Sequence, residues 1–159
     1  SEEDAPLLSA LKAKRRFFAE QLGGPAYIVF NDKTLIEMAE KRPMTIDQMA
    51  QIGGVGAKKL ESYGRAFLEV ISGAVEEVHP VRRKLAGRGE GAVFDRLLAV
   101  QATLARGPQG ADKPMSLNAA TLAKVAQLRS ADMTAVARLI GDKQADRFGD
   151  AFLEILRDG

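Results

Sequence analysis

Apolar residues recur along most of this chain with the period of an α-helix. Leu8, Leu11, Phe18 and Leu22 are spaced by 3, 7 and 4 residues, which predicts a first helix over about residues 6–22. Gly23-Gly24-Pro25 ends it, since glycines favour unwinding and a proline turns the preceding residue away from helical geometry. The next stretch, Pro25 to Phe30, is β-branched and aromatic and would be a strand by propensity alone. With no partner strand elsewhere, it reads as a short helical or 3₁₀ packing segment. Asn31-Asp32 then caps a helix with Leu35, Met38 and Ala39 inward, and Pro43 stops it. Thr45-x-x-Gln48 has the pattern of a capping box and opens a helix with Ile46, Met49, Ala50 and Ile52 apolar. After a glycine hairpin, Leu60, Tyr63, Phe67, Leu68 and Ile71 define one more helix.

The scheme then repeats. Gly64-Arg-Ala-Phe67-Leu68-Glu69-Val70-Ile71 recurs as Gly149-Asp-Ala-Phe152-Leu153-Glu154-Ile155-Leu156, an offset of 85. Upstream, Thr34-Leu35 matches Thr121-Leu122, and Met38-Ala39 matches Val125-Ala126, at an offset of 87. Two residues are therefore missing from the second copy, where Ile52-Gly-Gly-Val-Gly56 shrinks to Leu139-Ile-Gly141. Two matches in register around one gap argue for duplication. In the second copy, Phe94, Leu97, Gln101 and Leu104 open the series and a looser loop, Arg106–Leu117, follows. Leu122, Val125 and Ala126 mark the next helix, then Met133, Val136, Ala137 and Ile140, and finally Phe148, Phe152 and Leu156. The chain is thus expected to be all-α, with modules at 1–75 and 92–159. Residues 76–91, rich in glycine and carrying Arg82-Arg83-Lys84, read as a basic linker with at most a helical turn near Val81–Leu85.

Composition narrows the chemistry. The lack of cysteine excludes a thiolate metal site, and a lone histidine, His79, argues against a histidine-based zinc site or catalytic triad. His79 reads as a loop residue beside Pro80. No apolar run approaches membrane-spanning length, and the acidic start Ser1-Glu2-Glu3-Asp4 is unlike a signal peptide. That start, lacking Met, points to a piece of a longer chain. The carboxylate pairs at Glu2-Glu3-Asp4 and Glu76-Glu77 have no partner pattern for metal or acid–base work, and nothing resembles an active site. Residues 1–78 carry 10 Lys/Arg against 12 Asp/Glu, whereas residues 79–159 carry 13 against 9. Any nucleic-acid surface in the first half must therefore be local, while the second half is basic by composition.

Each candidate binding residue has an ordinary reading beside the functional one. Gly53-Gly54-Val55-Gly56 precedes a helix that begins with Lys58 and Lys59, an arrangement receptive to phosphate. It fits neither a P-loop nor a dinucleotide fingerprint, and on its own it reads better as a sharp turn between packed helices. Lys12, Lys14, Arg15 and Arg16 form the densest basic cluster of the first copy, with Lys12 and Arg16 sharing a helix face. They are either an anion-binding face or simply a solvated one. Tyr27 could stack an unpaired base, although the residue pattern favours a core tyrosine slightly. Arg82, Arg83 and Lys84 offer sequence-independent attraction for phosphate, or merely solubility.

These residues together carry a family resemblance. Gly24-Pro25-Ala26-Tyr27-Ile-Val-Phe30-Asn31-Asp32, then Thr34-Leu35-Ile-Glu37-Met38-Ala39, Arg42-Pro43-x-Thr45 and Ile52-x-Gly54-Val55-Gly56-x-x-Lys59-x-Glu61-x-Tyr63-Gly64-x-x-Phe67 resemble the helicase-and-RNase-D C-terminal (HRDC) domain. The match covers about residues 7–72, and its Tyr-Ile-Val-Phe-Asn-Asp version is more similar to bacterial RecQ DNA helicases than to RNase D. The resemblance implies two small orthogonal bundles of about five helices each. It also implies a non-catalytic, cofactor-free region of a cytoplasmic, nucleoid-associated bacterial enzyme, an ATP-driven 3′→5′ helicase. Its expected partners are single-stranded or branched DNA and the helicase core of the same chain, with no membrane and no metal. The resemblance carries DNA contact to Tyr27, Lys12, Arg15 and Arg16, and less directly to Lys58 and Lys59. In the second copy Tyr27 aligns loosely with Pro114, the Gly-Val-Gly is shortened and Lys59 becomes Gln144. That departure leaves open a protein-docking role for the second copy. An RNA-binding accessory role, as beside an RNase D-like exonuclease, is a third possibility.

Overall fold

The glycine and proline breaks in the sequence become the ends of short helices. A computed structural model of the chain describes residues 2–73 and 78–158. In the first half, α1 (Ala5–Leu22) leads through a 3₁₀ turn (Ala26–Ile28) into α2 (Asp32–Lys41), α3 (Ile46–Ala50) and α4 (Ala57–Ser72). In the second half, α5 (Pro80–Arg83) precedes α6 (Gly89–Leu104), α7 (Ala119–Ala126), α8 (Met133–Ile140) and α9 (Asp142–Asp158). No strand occurs among the described residues. The chain divides into two units, Ser1–Val78 and His79–Gly159, each with its own core.

In the first unit α1 packs on α2 and α4, and α3 packs on α4. Leu11, Leu35, Met38, Met49 and Phe67 are fully buried, the inward positions of the apolar period. Val29 and Phe30 are buried too, so the β-branched segment is a packing turn and not a strand. The Phe30 and Phe67 rings meet edge to face at 4.9 Å, and Phe18 lies 5.0 Å from Tyr63. Asn31 caps α2 by accepting from the Thr34 N–H at 2.8 Å, and Thr45 caps α3 by accepting from the Gln48 N–H at 3.1 Å. Gln48 answers by accepting from the Met44 N–H at 2.7 Å, so the reciprocal bond falls one residue before the cap.

The second unit repeats this frame. Asn118 caps α7 as Asn31 caps α2, accepting from the Thr121 N–H at 2.8 Å. Gly64 sits where α3 crosses α4, and a Cβ there would stand 3.0 Å from the Ile46 Cδ1. Gly149 holds the same place in α9, where a Cβ would stand 2.8 Å from the Met133 Sδ. A side chain at either position would require the Ile46 or Met133 side chain to shift. Without the two hairpin residues, α8 passes through Gly141 almost directly into α9.

The linker assignment of 76–91 needs correction. His79 accepts from the Val81 N–H at 3.1 Å and caps α5, and Leu85 is buried in the second core. Arg82 is buried and grips Asp95 with two bonds, Nε to Oδ1 at 2.8 Å and Nη2 to Oδ2 at 3.1 Å. Residues 79–91 are thus folded onto the second unit. Glycine and charge density resembled a linker because the apolar anchors, Val81 and Leu85, are few. Glu76-Glu77 lie outside the described residues.

Candidate nucleic-acid interface

The cations of the α1 cluster differ in exposure. Lys12 and Arg16 are exposed on one face, one turn apart. Arg15 lies close beside them, but its side chain retains only 11% exposure. Its Nη1 donates to the Phe30 carbonyl at 3.0 Å and reaches the Asp32 Oδ1 at 2.8 Å. This clasp ties the tyrosine-bearing turn to α1. The hydrogen bond and charge of Arg15, with a smaller pull from Lys12, hold the Asp32 carboxyl below the usual carboxylate range. Arg15 is therefore engaged within the fold, where it holds the tyrosine turn.

Beside the clasp lies an open hollow of about 280 Å³, bordered by Lys12, Arg15, Arg16, Glu20, Gly24 and Ala26. A second depression of about 400 Å³ continues toward the start of α1 over Ala5, Ser9 and Ala13, again edged by Lys12 and Arg16. Tyr27, next to Ala26, is 69% exposed and is not a core tyrosine. The 3₁₀ turn explains the difference, because it turns Val29 and Phe30 inward while Tyr27 remains in water. A bare ring beside paired cations is the combination that accommodates a base and its phosphate.

The glycine hairpin is occupied by its own neighbours. Gly53 donates its N–H to Glu37 Oε2 at 3.2 Å, and its carbonyl accepts from the Thr34 hydroxyl at 2.8 Å. Gly54 has φ +86°, and any Cβ there would run into the Thr34 hydroxyl. Glu37 also receives Lys41 at 3.1 Å, and hydrogen bonds from Lys41 and then Gly53 depress its carboxyl. Gly53 is thus held between Glu37 and Thr34, as in a turn between packed helices. Lys58 is exposed just beyond it, while Lys59 lies over the Phe30 ring at 5.8 Å. Lys59 thus covers the inner side of the tyrosine turn.

Of the remaining candidates, Arg82 is buried against Asp95, Arg83 is half-buried and Lys84 is exposed, all on the second unit. Among the described residues no group of histidines and carboxylates is placed to hold a metal ion. No helix among them is long and apolar enough to cross a membrane. The sequence reading passed over Asp32 and Glu37, the two acids that occupy Arg15 and the hairpin. Their spacing from those partners, 17 and 16 residues, leaves no local signal.

Comparison with known families fits this arrangement. The sequence profile of the HRDC domain matches residues 4–71 and again 90–156. The chain belongs to the HRDC domain family. RecQ, an ATP-dependent DNA helicase of Pasteurella multocida, is 44% identical over 68 residues, 43% of this chain and 11% of that protein. The Bacillus subtilis RecQ helicase is 41% identical over 69 residues, 43% of this chain and 12% of its own length. The ATP-dependent DNA helicase UvrD2 of Mycobacterium tuberculosis is 43% identical over 70 residues, 44% of this chain and 10% of that protein. The similarity thus extends to both RecQ and UvrD2 helicases, and the matched region is only about a tenth of each protein. No solved structure matches the chain significantly.

Proposed function

We propose that this chain is an accessory region of an ATP-dependent DNA helicase, RecQ-like by its tyrosine-turn motif, and that its first HRDC domain contacts single-stranded DNA. One observation carries the reading: Tyr27 stands exposed beside a hollow rimmed by Lys12 and Arg16. The cations attract phosphate without regard to sequence, and the ring offers a stacking surface to any base. Arg15 contributes by holding the turn, and Lys58, exposed in the first turn of α4, is a further candidate contact. The region catalyses nothing and selects DNA structures for the motor to which it belongs. Anisotropy titration of a labelled single-stranded oligonucleotide tests this. Binding should weaken in Tyr27→Ala and Arg16→Ala and fall steeply as salt rises; unchanged affinity in both variants would remove the reading. A preference for structured RNA over single-stranded DNA would move the assignment toward an exoribonuclease.

The second HRDC domain supports a different role. Leu98, Ala102 and Pro114 stand where the first domain has Lys12, Arg16 and Tyr27. Without the cations and the ring, this domain is better suited to docking on protein, with the helicase core of the parent chain as the first partner to test by pull-down. Loss of capture on changing the exposed Leu98 to aspartate would support that role.

A further inference from the structure

Among the described residues, two aromatic rings stand exposed, Tyr27 and Phe17. Phe17 keeps 48% of its surface in water although it sits in the middle of α1. An exposed phenylalanine is ordinary taken singly, but three features set this one apart.

The first is position. Phe17 is four residues from Ala13 and three from Glu20, so it adjoins both on the helix surface. Ala13 lines one depression and Glu20 the other. Tyr27 adjoins the same hollow through Ala26. The cationic hollow therefore has aromatic neighbours on both sides.

The second is preorganisation. The Phe18 ring meets Phe17 edge-on at 5.4 Å, and the Lys14 ammonium lies 5.5 Å from the Phe17 centroid. The ring is thus braced from below, while its cation partner adds charge of the sign a nucleic-acid strand seeks.

The third is its loss in the copy. Burial along α1 and α6 runs largely in step at an offset of 86. Leu11 and Leu97 are both buried, and Lys12, Arg16 and Phe17 are exposed like Leu98, Ala102 and Thr103, although Arg15 is only partly buried where Gln101 is fully so. In that register Phe17 becomes Thr103 and Lys14 becomes Val100. Phe17 disappears together with Lys12, Arg16 and Tyr27, while the core beneath is retained.

We infer that Phe17 is a second base-stacking platform, so that a single strand crosses α1 with its backbone over Lys12 and Arg16 and one base on each ring. This rests on the single-strand reading above and extends its footprint from Tyr27 to the far side of α1.

The test is anisotropy titration of the full chain with a labelled oligothymidylate and with an abasic strand of equal length. Phe17→Ala should weaken oligothymidylate binding roughly tenfold, and Phe17→Leu should weaken it as much, because an aliphatic side chain covers Phe18 but cannot stack. Phe17→Tyr should bind as the parent does, and the abasic strand should not distinguish Phe17→Ala from the parent. Parental affinity in Phe17→Ala or Phe17→Leu, with Tyr27→Ala still weakened, would overturn the inference and leave the single-strand reading standing. Failure of the parent chain to bind the oligothymidylate would overturn both.

Discussion

The two HRDC domains fold alike and differ on one face. At equivalent positions their interiors correspond: Leu11 with Leu97, Tyr63 with Phe148, Phe67 with Phe152, and the crossing glycines Gly64 with Gly149. Arg15 clasps the Phe30 carbonyl in the first domain. Gln101, in its place, accepts from the Leu117 N–H at 2.7 Å and points its amide at the Leu117 carbonyl. Leu117 is the counterpart of Phe30, and Ala119 is the counterpart of Asp32. Cation and anion have been exchanged together for a neutral clasp. Nothing is left unpaired by that double change, whereas losing one member alone would strand a charge. The fold has been held constant while the charged, aromatic face around it was removed.

Charge makes the same point. The second half of the chain has the more basic composition, yet its face equivalent to Lys12 and Arg16 is Leu98 and Ala102. Along α9, exposed carboxylates recur every fourth residue at Asp142, Asp146, Asp150 and Glu154. The corresponding positions of α4 are Ala57, Glu61, Arg65 and Glu69, which do not repel in series. Net charge and the arrangement of charge therefore rank the two domains differently, and an interface depends on arrangement.

The strongest challenge to shared architecture is at the shared core. Phe67→Ala and Phe152→Ala each remove a fully buried ring and should each destabilise the domain that contains it by about 3–5 kcal/mol. Denaturant unfolding followed by domain-resolved NMR signals measures both. A cost confined to one domain would break the equivalence.

The clasp comes next. Arg15→Ala strips a charged hydrogen bond from a largely buried carbonyl and should cost about 1.5–3 kcal/mol, with DNA affinity falling as the tyrosine turn loosens. Arg15→Gln combined with Asp32→Ala copies the second domain's solution and should recover much of both. If the double variant were no better than Arg15→Ala, the exchange as a unit would be refuted.

Smaller effects separate phosphate contacts from structural ones. Lys12→Ala and Arg16→Ala should each lower the slope of log affinity against log salt by about 0.7, the share of one phosphate on a single strand. Leu98→Ala in the second domain should leave that slope unchanged. Asp146→Lys relieves like-charge neighbours on both sides and should stabilise the second domain by roughly 0.5 kcal/mol, seen as a raised unfolding midpoint.

Much of this was legible in the chain. The caps Asn31 and Thr45, the apolar period and the repeated Gly-x-Ala-Phe-Leu-Glu block located the helices and the duplication, because each is a local signal. What escaped depended on contacts between distant residues. Arg15 could not be told from Arg16 until Phe30 and Asp32 were brought against it, and Arg82 looked like a linker cation until Asp95 was seen beside it. Tyr27 was indistinguishable from a core residue within an apolar run, since a 3₁₀ turn does not follow the period of an α-helix. Phe17 left no local trace, because residues 100° apart on a helix can both be buried, as Phe67 and Leu68 are.

The weakest difference between the domains is their response to acid. The Asp32 carboxyl is depressed by Arg15, so the stability it lends is present above its unfolded pKa and is lost as pH falls through the lower folded value. Ala119 gives the second domain no such term. The tyrosine turn should therefore loosen first on acidification, visible in its amide exchange, and Asp32→Ala should abolish that dependence.

The central claim is that one fold carries a DNA-contacting face in the first domain only. An NMR titration of the whole chain with a short single-stranded oligonucleotide tests it most directly. The account predicts shifts at Lys12, Arg16, Phe17 and Tyr27, with Leu98, Ala102 and Pro114 unmoved. Equal shifts at both sets, or shifts in the second domain alone, would contradict it.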